Sequence, residues 1–533
     1  MGKYVLITTG LVLLLCVLPP LGQPRPAFAS TFIVNTTEDS TDGTCNATHC
    51  TLREAIEDAN SNIGGDYIHV LIPPGADPGC DDAVCTITLA SMLPALDDIS
   101  GGTFLDGTSQ PDTNPDGPDV VIDGSGSNHC LWIQSPHNVI TGFVISGCNY
   151  GVVISTKYYP HDEAGYNEIY GNYLGTNYAG TASAGNSNSG IVIENSYNTI
   201  GGTTAQQRNI ISGHAVMAVG ISGPDAHHNR VVGNYIGTNA DGTGAVPNEG
   251  AGIIIGEACD NTIGGLTSAE RNVISGNGMG IWIHNDACYN QIWGNYIGTD
   301  ASGGDAVPNG GGVQIGDGAH HNYVGGLTSG KPNVISGNGG VGIGIYLDAY
   351  DNQIMGNYIG TDASGGDALP NDIGVFIGDG GHDNYIGGII AYNVYYGVWV
   401  DGEDSTTTNG NTIIARSIHS NGDQGIYLSD GGNGGILPPQ ITTASCTSAS
   451  GIAPAGYAIL LFSDYEDEGR QFQGWDVAEK DGTWTVTLPS GMFSYPNLTA
   501  TATDTAGNTS EFSAPPVHTL CHFIWIPLAV KRY

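Results

Sequence analysis

Positive charge is scarce in this chain of 533 residues. Lysine and arginine together number 13 against 52 acidic residues, which gives a formal net charge of −39. A protein that binds nucleic acid displaces counterions with a basic surface, and this sequence offers no basic patch. We therefore expect no nucleic-acid partner. Charged residues make up only 12% of the chain and hydrophobic residues 40%, which indicates a folded protein rather than a disordered acidic one.

Long apolar runs are absent beyond the first 29 residues. Lys3 precedes an apolar stretch from Val5 to Leu18, and Ala27-Phe28-Ala29 supplies a small-x-small cleavage site. Residues 1–29 are therefore predicted to be a secretory signal peptide; lipidation at Cys16 is less favoured, because a leucine precedes it. No later run approaches the ~18 apolar residues of a membrane span. We expect a secreted or cell-surface protein without a membrane span.

A Cys-x-x-Cys pair is also missing, which disfavours a structural zinc site. Ten cysteines follow residue 29, and an even number in an exported chain predicts disulfides. Proximity in the sequence predicts three bridges, Cys45–Cys50, Cys80–Cys85 and Cys130–Cys148. Cys446 and Cys521 would then close the C-terminal region.

What the sequence does contain is a repeat of about 62 residues. Gly-Asn-Tyr-(Ile/Leu)-Gly-Thr begins at Gly171, Gly233, Gly294 and Gly356. At about half that period stands Asn-x-(Ile/Val)-x-Gly, which begins at Asn138, Asn167, Asn198, Asn229, Asn261, Asn290, Asn322, Asn352 and Asn384. Most copies follow a segment Gly-(Ile/Val)-x-(Ile/Val/Leu), at Gly151, Gly190, Gly252, Gly280, Gly312, Gly344, Gly374, Gly397 and Gly425. The alternation of apolar residues is typical of strands with one buried face.

Short strands with Gly and Asn corners predict a parallel β-solenoid in which each coil is one rung. Asparagine accepts a left-handed corner conformation, and its amide can bond the same amide one coil away. The recurring Asn is therefore interpreted as a structural ladder rather than a ligand site. In that register Cys259 and Cys288 lie two residues before Asn261 and Asn290. Adjacent coils are about 4.8 Å apart, so these cysteines are predicted to form a further disulfide.

The repeats resemble those of bacterial right-handed parallel β-helix repeat proteins over residues 119–435. The resemblance rests on the Gly-Asn-Tyr-Ile-Gly-Thr-Asp motif and on the Arg271 to Asn277 segment, Arg-Asn-Val-Ile-Ser-Gly-Asn. It implies a right-handed helix, in agreement with the rule for parallel crossovers. We predict an all-β fold, with a right-handed parallel β-helix of about eleven coils in residues 119–436.

The segment Cys50 to Asn60 resembles the domain named for Cys-Ser-Leu-Arg-Glu-Ala, with Thr51 in place of the serine. Thr51 and Glu54 form a capping box, and an apolar stripe at helical spacing follows, comprising Leu52, Ala55, Ile56 and Ala59. An open solenoid end exposes apolar core and unpaired strand edges. Residues 30–118 are therefore predicted to be an N-terminal helical cap with the first irregular coils.

The composition changes after residue 436. Strand patterns at Gly456 to Phe462, Thr483 to Leu488 and Asn497 to Asp504 predict antiparallel pairing. Residues 437–516 loosely resemble the small Ig-like β-sandwich domains of bacterial surface proteins. The tail, residues 517–533, is interpreted either as a sorting or docking segment or as a last strand.

Two sets of acidic residues are candidate calcium ligands, since oxygen-only sites suit that cation. One carboxylate per coil precedes the Asn ladder: Glu194, Asp225, Glu257, Asp286, Asp317, Asp348 and Asp379. The second set lies in polar loops predicted to project about 10 Å apart, on every second coil. It comprises Asp300, Asp305, Asp362 and Asp367, with Asn239 and Asp241 a weaker version. The alternatives are a solvated corner for the column and an Asx/Gly turn for the loops.

Histidines recur near the same corner, at His227-His228, His320-His321 and His382. They fall on alternate coils, about 10 Å apart, which is too far for a shared tight metal site. A solvent-facing turn is the preferred interpretation.

Exposed aromatic residues would provide stacking surfaces for sugar rings, although the sequence does not sort exposed from buried ones. The candidates are Trp282, Trp293, Tyr296, Tyr346, Tyr350, Tyr358, Tyr395, Tyr396 and Trp399. We predict a binding or structural module, for polysaccharide or another surface. The alternative is a polysaccharide lyase or glycoside hydrolase acting in the lateral groove, with Arg208, Arg271 and Lys331 as candidate lyase bases. No general acid/base pair stands out, and catalytic residues are unknown.

Overall fold

A computed structural model describes residues 30–519, except 82–83, 99, 101, 112–113, 115–116, 156–164, 327–331 and 403–407. The predicted signal peptide, Cys16, Lys331, Cys521 and most of the C-terminal tail lie outside the described residues. Within the described part, no helix is long and apolar enough to cross a lipid bilayer.

The centre of the chain is a parallel β-helix with strands on three faces, which we call the first, second and third sheets. The third sheet has eleven strands in sequential order: His129–Ile133, Tyr150–Ile154, Ser189–Ile193, Met217–Ser222, Ala251–Gly256, Met279–His284, Val313–Ile315, Val341–Ile345, Ile373–Ile377, Val398–Asp401 and Ile426–Ser429. This number agrees with the eleven coils expected from the repeat. All its pairings are parallel.

The first and second sheets cover the other two faces. The first contains Thr31–Val34, Tyr67–Val70, Phe104–Asp106, Val139–Thr141, Glu168–Ile169, Thr199–Gly201, Arg230–Val232, Thr262–Gly264, Gln291–Trp293, Tyr323–Gly325 and Thr412–Ile413. The second contains Cys85–Thr88, Val120–Asp123, Phe143–Ser146, Tyr173–Leu174, Ile210–Ile211, Tyr235–Ile236, Val273–Ile274, Tyr296–Ile297, Val334–Ile335 and Ser417–His419. Two longer strands, Gln353–Ile359 and Tyr385–Ala391, run through both sheets and join them.

The coils stack in register, so that like residues lie over one another. Ile283 pairs with Ile255 on one side and Ile315 on the other, and all three are fully buried. The residue before each points outward, as half-buried Trp282 does. Because a slip of one residue would expose the whole isoleucine column, the burial of this column fixes the register.

The corners carry three asparagine ladders where the sequence predicts one. In the first, each Asn from Asn138 to Asn384 donates from Nδ2 to Oδ1 of the next, at 2.9–3.2 Å. The second ladder comprises Asn172, Asn209, Asn234, Asn272, Asn295, Asn333 and Asn357. The third comprises Asn248, Asn277, Asn309, Asn338, Asn371, Asn393 and Asn421. These amides form hydrogen bonds with buried polar groups at the corners that would otherwise lack partners.

One rung of the third ladder is a histidine. His214 accepts from the backbone N of Asn186 through Nδ1 and donates its own backbone N–H to Oδ1 of Asn248. It is fully buried, and burial lowers its pKa to about 3. His214 is therefore neutral and acts as a structural substitute for asparagine.

The N-terminal helix, Leu52–Asn60, has the predicted capping box. The Thr51 side chain accepts from the backbone N of Glu54, and the Glu54 side chain accepts from the backbone N of Thr51. The predicted stripe is buried in the same apolar cluster as Val34 and Ile68 of the first two strands. This helix therefore packs on the first coils of the solenoid.

The C-terminal region forms an antiparallel sandwich of two sheets. One consists of Gln440–Ala444, Ser448–Ile452 and Thr483–Thr487; the other consists of Gln471–Val477, Ala458–Asp464, Asn497–Thr503 and Val517–His518. Val517–His518 makes the start of the tail a last strand. The likeness to Ig-like domains stays a prediction, as do the domain boundaries.

This sandwich also closes the C-terminal end of the β-helix, a role that the sequence did not indicate. Phe462 and Phe512 belong to the buried cluster of the solenoid interior. Ile418 exchanges backbone hydrogen bonds with Gly469, which extends the second sheet into the sandwich. The exposed apolar end that a solenoid would otherwise present is thereby covered.

Four disulfides join pairs of cysteines that both lie among the described residues, and they are pairs that the sequence predicts. They join Cys45 to Cys50, Cys80 to Cys85, Cys130 to Cys148 and Cys259 to Cys288. The Cα atoms of Cys259 and Cys288 are 4.5 Å apart on adjacent coils, close to the expected coil spacing. Cys446 is disulfide-bonded, and its pairing with Cys521 stays a prediction.

Candidate functional site

The polar loops are Asx turns closed by their own first residue. Asp300 is almost fully buried, and its carboxylate accepts from the Ser302 hydroxyl and from the backbone N–H groups of Gly304 and Asp305. These hydrogen bonds outweigh burial and lower the pKa of Asp300. Asp362 accepts from its own loop in the same way. The loop donors converge on Oδ1 of each of these two aspartates, which favours the turn interpretation. Calcium binding by Asp300, Asp305, Asp362 and Asp367 stays a prediction.

The loops are not separate projections. The backbone N of Ala240 donates to the carbonyl of Gly180 in the preceding loop, at 2.9 Å. Ala301 donates to Gly242, and Ala363 to Gly303, at the same distance. The loops are therefore not separated by the expected 10 Å. Each loop instead contacts the preceding loop through a backbone hydrogen bond.

The column of acids lies on an outer turn. From Glu257 to Asp379 its members have left-handed φ angles between 46° and 57°, a conformation that aspartate tolerates better than most residues. The backbone N of Asp286 donates to the carbonyl of Asp317, and that of Asp348 to Asp379. Among the described residues, none of these acids belongs to a cluster of three metal-ligating side chains. Calcium binding along this column stays a prediction.

The corner histidines stack on tyrosines from the intervening coils. The ring centroid of Tyr350 lies 4.9 Å from that of His320 and 5.4 Å from that of His382. Further along the corner, Tyr197 stacks on His228 at 5.0 Å. The expected spacing on alternate coils therefore holds for His320 and His382, which have Tyr350 between them. His228 lies three coils before His321, and the coils between them carry the Cys259–Cys288 disulfide and Tyr289 at this corner.

Arg208 and Arg271, the candidate lyase bases, lie over tyrosine rings of the second sheet. The guanidinium carbon of Arg208 is 4.0 Å from the Tyr235 ring centroid, and that of Arg271 is 3.9 Å from the Tyr296 ring centroid. Such cation–π contacts hold the guanidinium against the protein surface. This geometry favours a structural role for both residues.

An aromatic surface covers the outside of the third sheet at its C-terminal end. It consists of Tyr346, Phe376, Tyr396, Trp399 and Tyr427, all half-buried. Phe376, Trp399 and Tyr427 occupy one outward position on three consecutive strands. Ring centroids lie 5.3 Å apart for Tyr346–Phe376, 4.9 Å for Phe376–Trp399 and 4.6 Å for Tyr396–Tyr427. The rings thus form one continuous patch across four coils.

Two glycine residues leave the space in which two of these aromatic rings pack. A Cβ on Gly344 would collide with the Tyr346 ring, and a Cβ on Gly378 would collide with the Phe376 ring. The rings can therefore lie against the sheet instead of standing out from it. Burial and the charge of Asp379 raise the pKa of Tyr346, so its hydroxyl is a neutral hydrogen-bonding group.

Polar groups adjoin the aromatic surface. The indole Nε1 of Trp399 donates to the Ser429 hydroxyl at 2.8 Å, and this hydroxyl donates to Oδ1 of Asp401 at 2.9 Å. The network fixes the plane of the indole. The patch therefore combines apolar ring faces with carboxylates at its margin.

The structure shows which of the aromatic candidates are exposed, which are buried and which lie on the third sheet. Trp282 lies on the same outer face as the patch, several coils earlier, and stacks on His284 at 4.4 Å. Tyr296 is buried, and Tyr395 is exposed. Trp293 and Tyr358 are half-buried outside the third sheet.

Sequence reasoning missed Phe376 and Tyr427, although the motif carried a signal. Each fills the third position of Gly-(Ile/Val)-x-(Ile/Val/Leu), the same position as Trp399 and Trp282. That position points outward on every coil. In one coil the motif begins at Gly342 rather than Gly344, because Ile343 and not Ile345 pairs with Val313 and Val375.

No protein-family model matches the chain, and no curated protein matches its sequence. Among solved structures, the Dettilon tailspike protein is 16% identical with a TM-score of 0.42, and the match covers 86% of this chain and 78% of that one. Bacteriophage CBA120 tailspike protein 2, enzymatically active domain, is 11% identical with a TM-score of 0.37, covering 90% and 76%. Pectate lyase Pel9A is 12% identical with a TM-score of 0.27, covering 67% and 76%.

Proposed function

We propose that this chain is an exported β-helix protein that binds polysaccharide on the aromatic surface of its third sheet. The observation that carries the proposal is the row of Phe376, Trp399 and Tyr427 at one outward position on consecutive strands. Adjacent strands are about 4.8 Å apart. The row therefore offers a repeated apolar platform that suits a polymer of repeated rings.

Aromatic rings bind sugars through their apolar faces, and a flat ring buries much area at low entropic cost. Gly344 and Gly378 leave room for the rings of Tyr346 and Phe376 close to the backbone of the sheet. Trp399 is held by its hydrogen bond to Ser429, so little ordering is left for the ligand to induce.

The charge of the site favours a neutral polysaccharide. Asp379 and Asp401 lie beside the rings, and the chain as a whole carries a formal charge of −39. Like charges would repel a polymer of uronic acids. Export is supported by the predicted signal peptide and by the disulfides, which form in oxidising compartments.

The test is retention of the purified protein on a panel of immobilised neutral and acidic polysaccharides. Trp399→Ala is expected to lower the affinity for the bound polymer about tenfold or more, equivalent to about 1.4 kcal/mol. Trp475→Ala is the matched control, because this tryptophan is exposed on the sandwich, away from the third sheet. Failure of every polymer to bind, or equal loss in both variants, would contradict the proposal.

The same incubations test the enzyme alternative. Intact polymers are expected after prolonged incubation, with and without a calcium chelator. Release of short or unsaturated products would favour a hydrolase or lyase instead.

A further inference from the structure

The N-terminal cap contains a mixed cluster of metal-ligating side chains that the polysaccharide proposal does not use. Asp42, His49 and Glu54 each offer one ligand atom, and these atoms all lie within 4.8 Å of one another. It is the one such cluster of three among the described residues. We propose that these three side chains bind a divalent transition-metal ion of the zinc class.

The spacing of the ligand atoms fits a metal better than a hydrogen-bonded ion pair. Nδ1 of His49 lies 3.3 Å from Oε2 of Glu54 and 3.6 Å from Oδ2 of Asp42. Charge-assisted hydrogen bonds are shorter, about 2.7–2.9 Å. Two ligands of a tetrahedral zinc ion, each about 2.0–2.1 Å from it, are about 3.4 Å apart. The two distances from Nδ1 of His49, 3.3 and 3.6 Å, are close to the edge length of such a tetrahedron.

The ring nitrogen of His49 supplies an independent observation. Nδ1 is shielded from solvent and has no hydrogen-bond partner, although it faces two carboxylates. A buried polar atom without a partner is costly, and a metal bond would satisfy it. The other ring nitrogen, Nε2, lies 3.6 Å from Oε2 of Glu38. Outer carboxylates of this kind orient metal-bound histidines.

The local fold holds the three residues before any ion binds. Oε1 of Glu54 accepts from the backbone N of Asp42 at 2.7 Å, and Oε2 accepts from that of Thr51 at 3.0 Å. The Cys45–Cys50 disulfide closes the short loop that carries His49. Glu54 is buried, whereas Asp42 is 56% exposed, so one side of the site is open to water.

The chemistry of the set selects the metal. Imidazole with carboxylates suits zinc and its neighbours, whereas calcium and magnesium take oxygen ligands. Three protein ligands leave a fourth position for water. This site is therefore distinct in chemistry from the oxygen-only calcium sites predicted along the solenoid.

Titration of the chelator-treated protein with Zn²⁺, followed by calorimetry, tests the proposal. One tight equivalent is expected for the wild type, and His49→Ala should weaken this equivalent at least about tenfold. His518→Ala is the control, because this exposed histidine bonds Asn497 in the sandwich and should leave the isotherm unchanged. Ca²⁺ should not bind with comparable affinity, because calcium does not favour imidazole.

Asp42→Asn provides a second variant that keeps the backbone contact to Glu54. It should also weaken zinc binding, and Co²⁺ should give a tetrahedral visible spectrum in the wild type that both variants lose. The proposal is overturned if the wild type binds no tight equivalent, or if His49→Ala and His518→Ala bind zinc alike.

Discussion

Asn421, the last rung of the third ladder, donates its backbone N–H to Oε2 of Glu468 in the C-terminal sandwich, at 3.2 Å. Glu468 is almost fully buried at this junction. Burial raises its pKa to about 8, and the charges of Asp464 and Asp467 contribute in the same direction. A protonated carboxyl group thus ends the ladder, at the place where earlier coils have an amide or, at His214, an imidazole.

The first prediction concerns pH. The folded protein holds the Glu468 proton up to about pH 8, whereas the unfolded chain releases it near pH 4.5, the ordinary pKa of a glutamate side chain. The stabilising contribution is therefore complete below pH 4.5 and is lost as pH rises from there through 8. The loss is up to roughly 4–5 kcal/mol. Denaturant unfolding of the wild type and Glu468→Gln between about pH 5 and pH 8 measures it, and the variant should lose less stability.

The wild type has to be compared with Glu468→Gln because the titration of His419 changes the stability of the protein in the opposite direction. Burial and the nearby Arg470 charge lower the pKa of His419 to about 4, so this histidine adds stability as pH rises from 4 to 6.5. Glu466→Gln, in the same turn, serves as the control. Parallel pH profiles for wild type and Glu468→Gln would refute the prediction.

The second prediction concerns the first ladder. Asn290→Ala removes the oxygen that accepts from both the backbone N and Nδ2 of Asn261. The backbone N of Asn261 would then be buried without a partner, at about 1–3 kcal/mol, while Nδ2 would keep only its bonds to the carbonyls of Ala226 and Cys259. We expect a loss of about 2–4 kcal/mol in the free energy of unfolding, measured with denaturant. The exposed Asn128→Ala should change it by less than about 0.5 kcal/mol; a similar loss in both variants would count against the ladder.

The third prediction concerns the polar loops. Asn239 occupies the position of Asp362 in an earlier loop and accepts the same kind of backbone hydrogen bonds. Asp362→Asn should therefore keep the loop, with a change below about 0.5 kcal/mol, while Asp362→Ala should cost about 1 kcal/mol. Melting temperatures with and without Ca²⁺ decide between turn and calcium site. A calcium-dependent melting temperature that Asp362→Asn abolishes would establish the calcium interpretation instead.

The fourth prediction concerns the Cys259–Cys288 bridge, which closes a segment of 29 residues. Replacing both cysteines with serine should lower the free energy of unfolding by about 2–4 kcal/mol, since the cross-link restricts the unfolded chain. Neither native cysteine should react with a thiol reagent before reduction. Prompt labelling of both under oxidising conditions would exclude the bridge.

The asparagine ladders show which parts of the fold the sequence pattern predicts and which it does not. The first ladder was predicted because its asparagines recur every 29 to 32 residues. In the second, the separations alternate among 37, 25, 38, 23, 38 and 24 residues. The polar loop inserted on every second coil produces this alternation. Its asparagines stand in visible motifs, yet no fixed period connects one coil type with the other.

The sequence by itself determined the parallel β-helix, the capping box at Thr51 and the bridges between cysteines close in sequence or register. These features depend on local spacing and on a period that the chain repeats. Only the tertiary structure decided which aromatic rings reach the outer face, that Glu468 ends a ladder, and that His49 faces Asp42 and Glu54. Those outcomes depend on which side of a strand a residue occupies and on how separate segments pack, and neither is encoded in spacing along the chain.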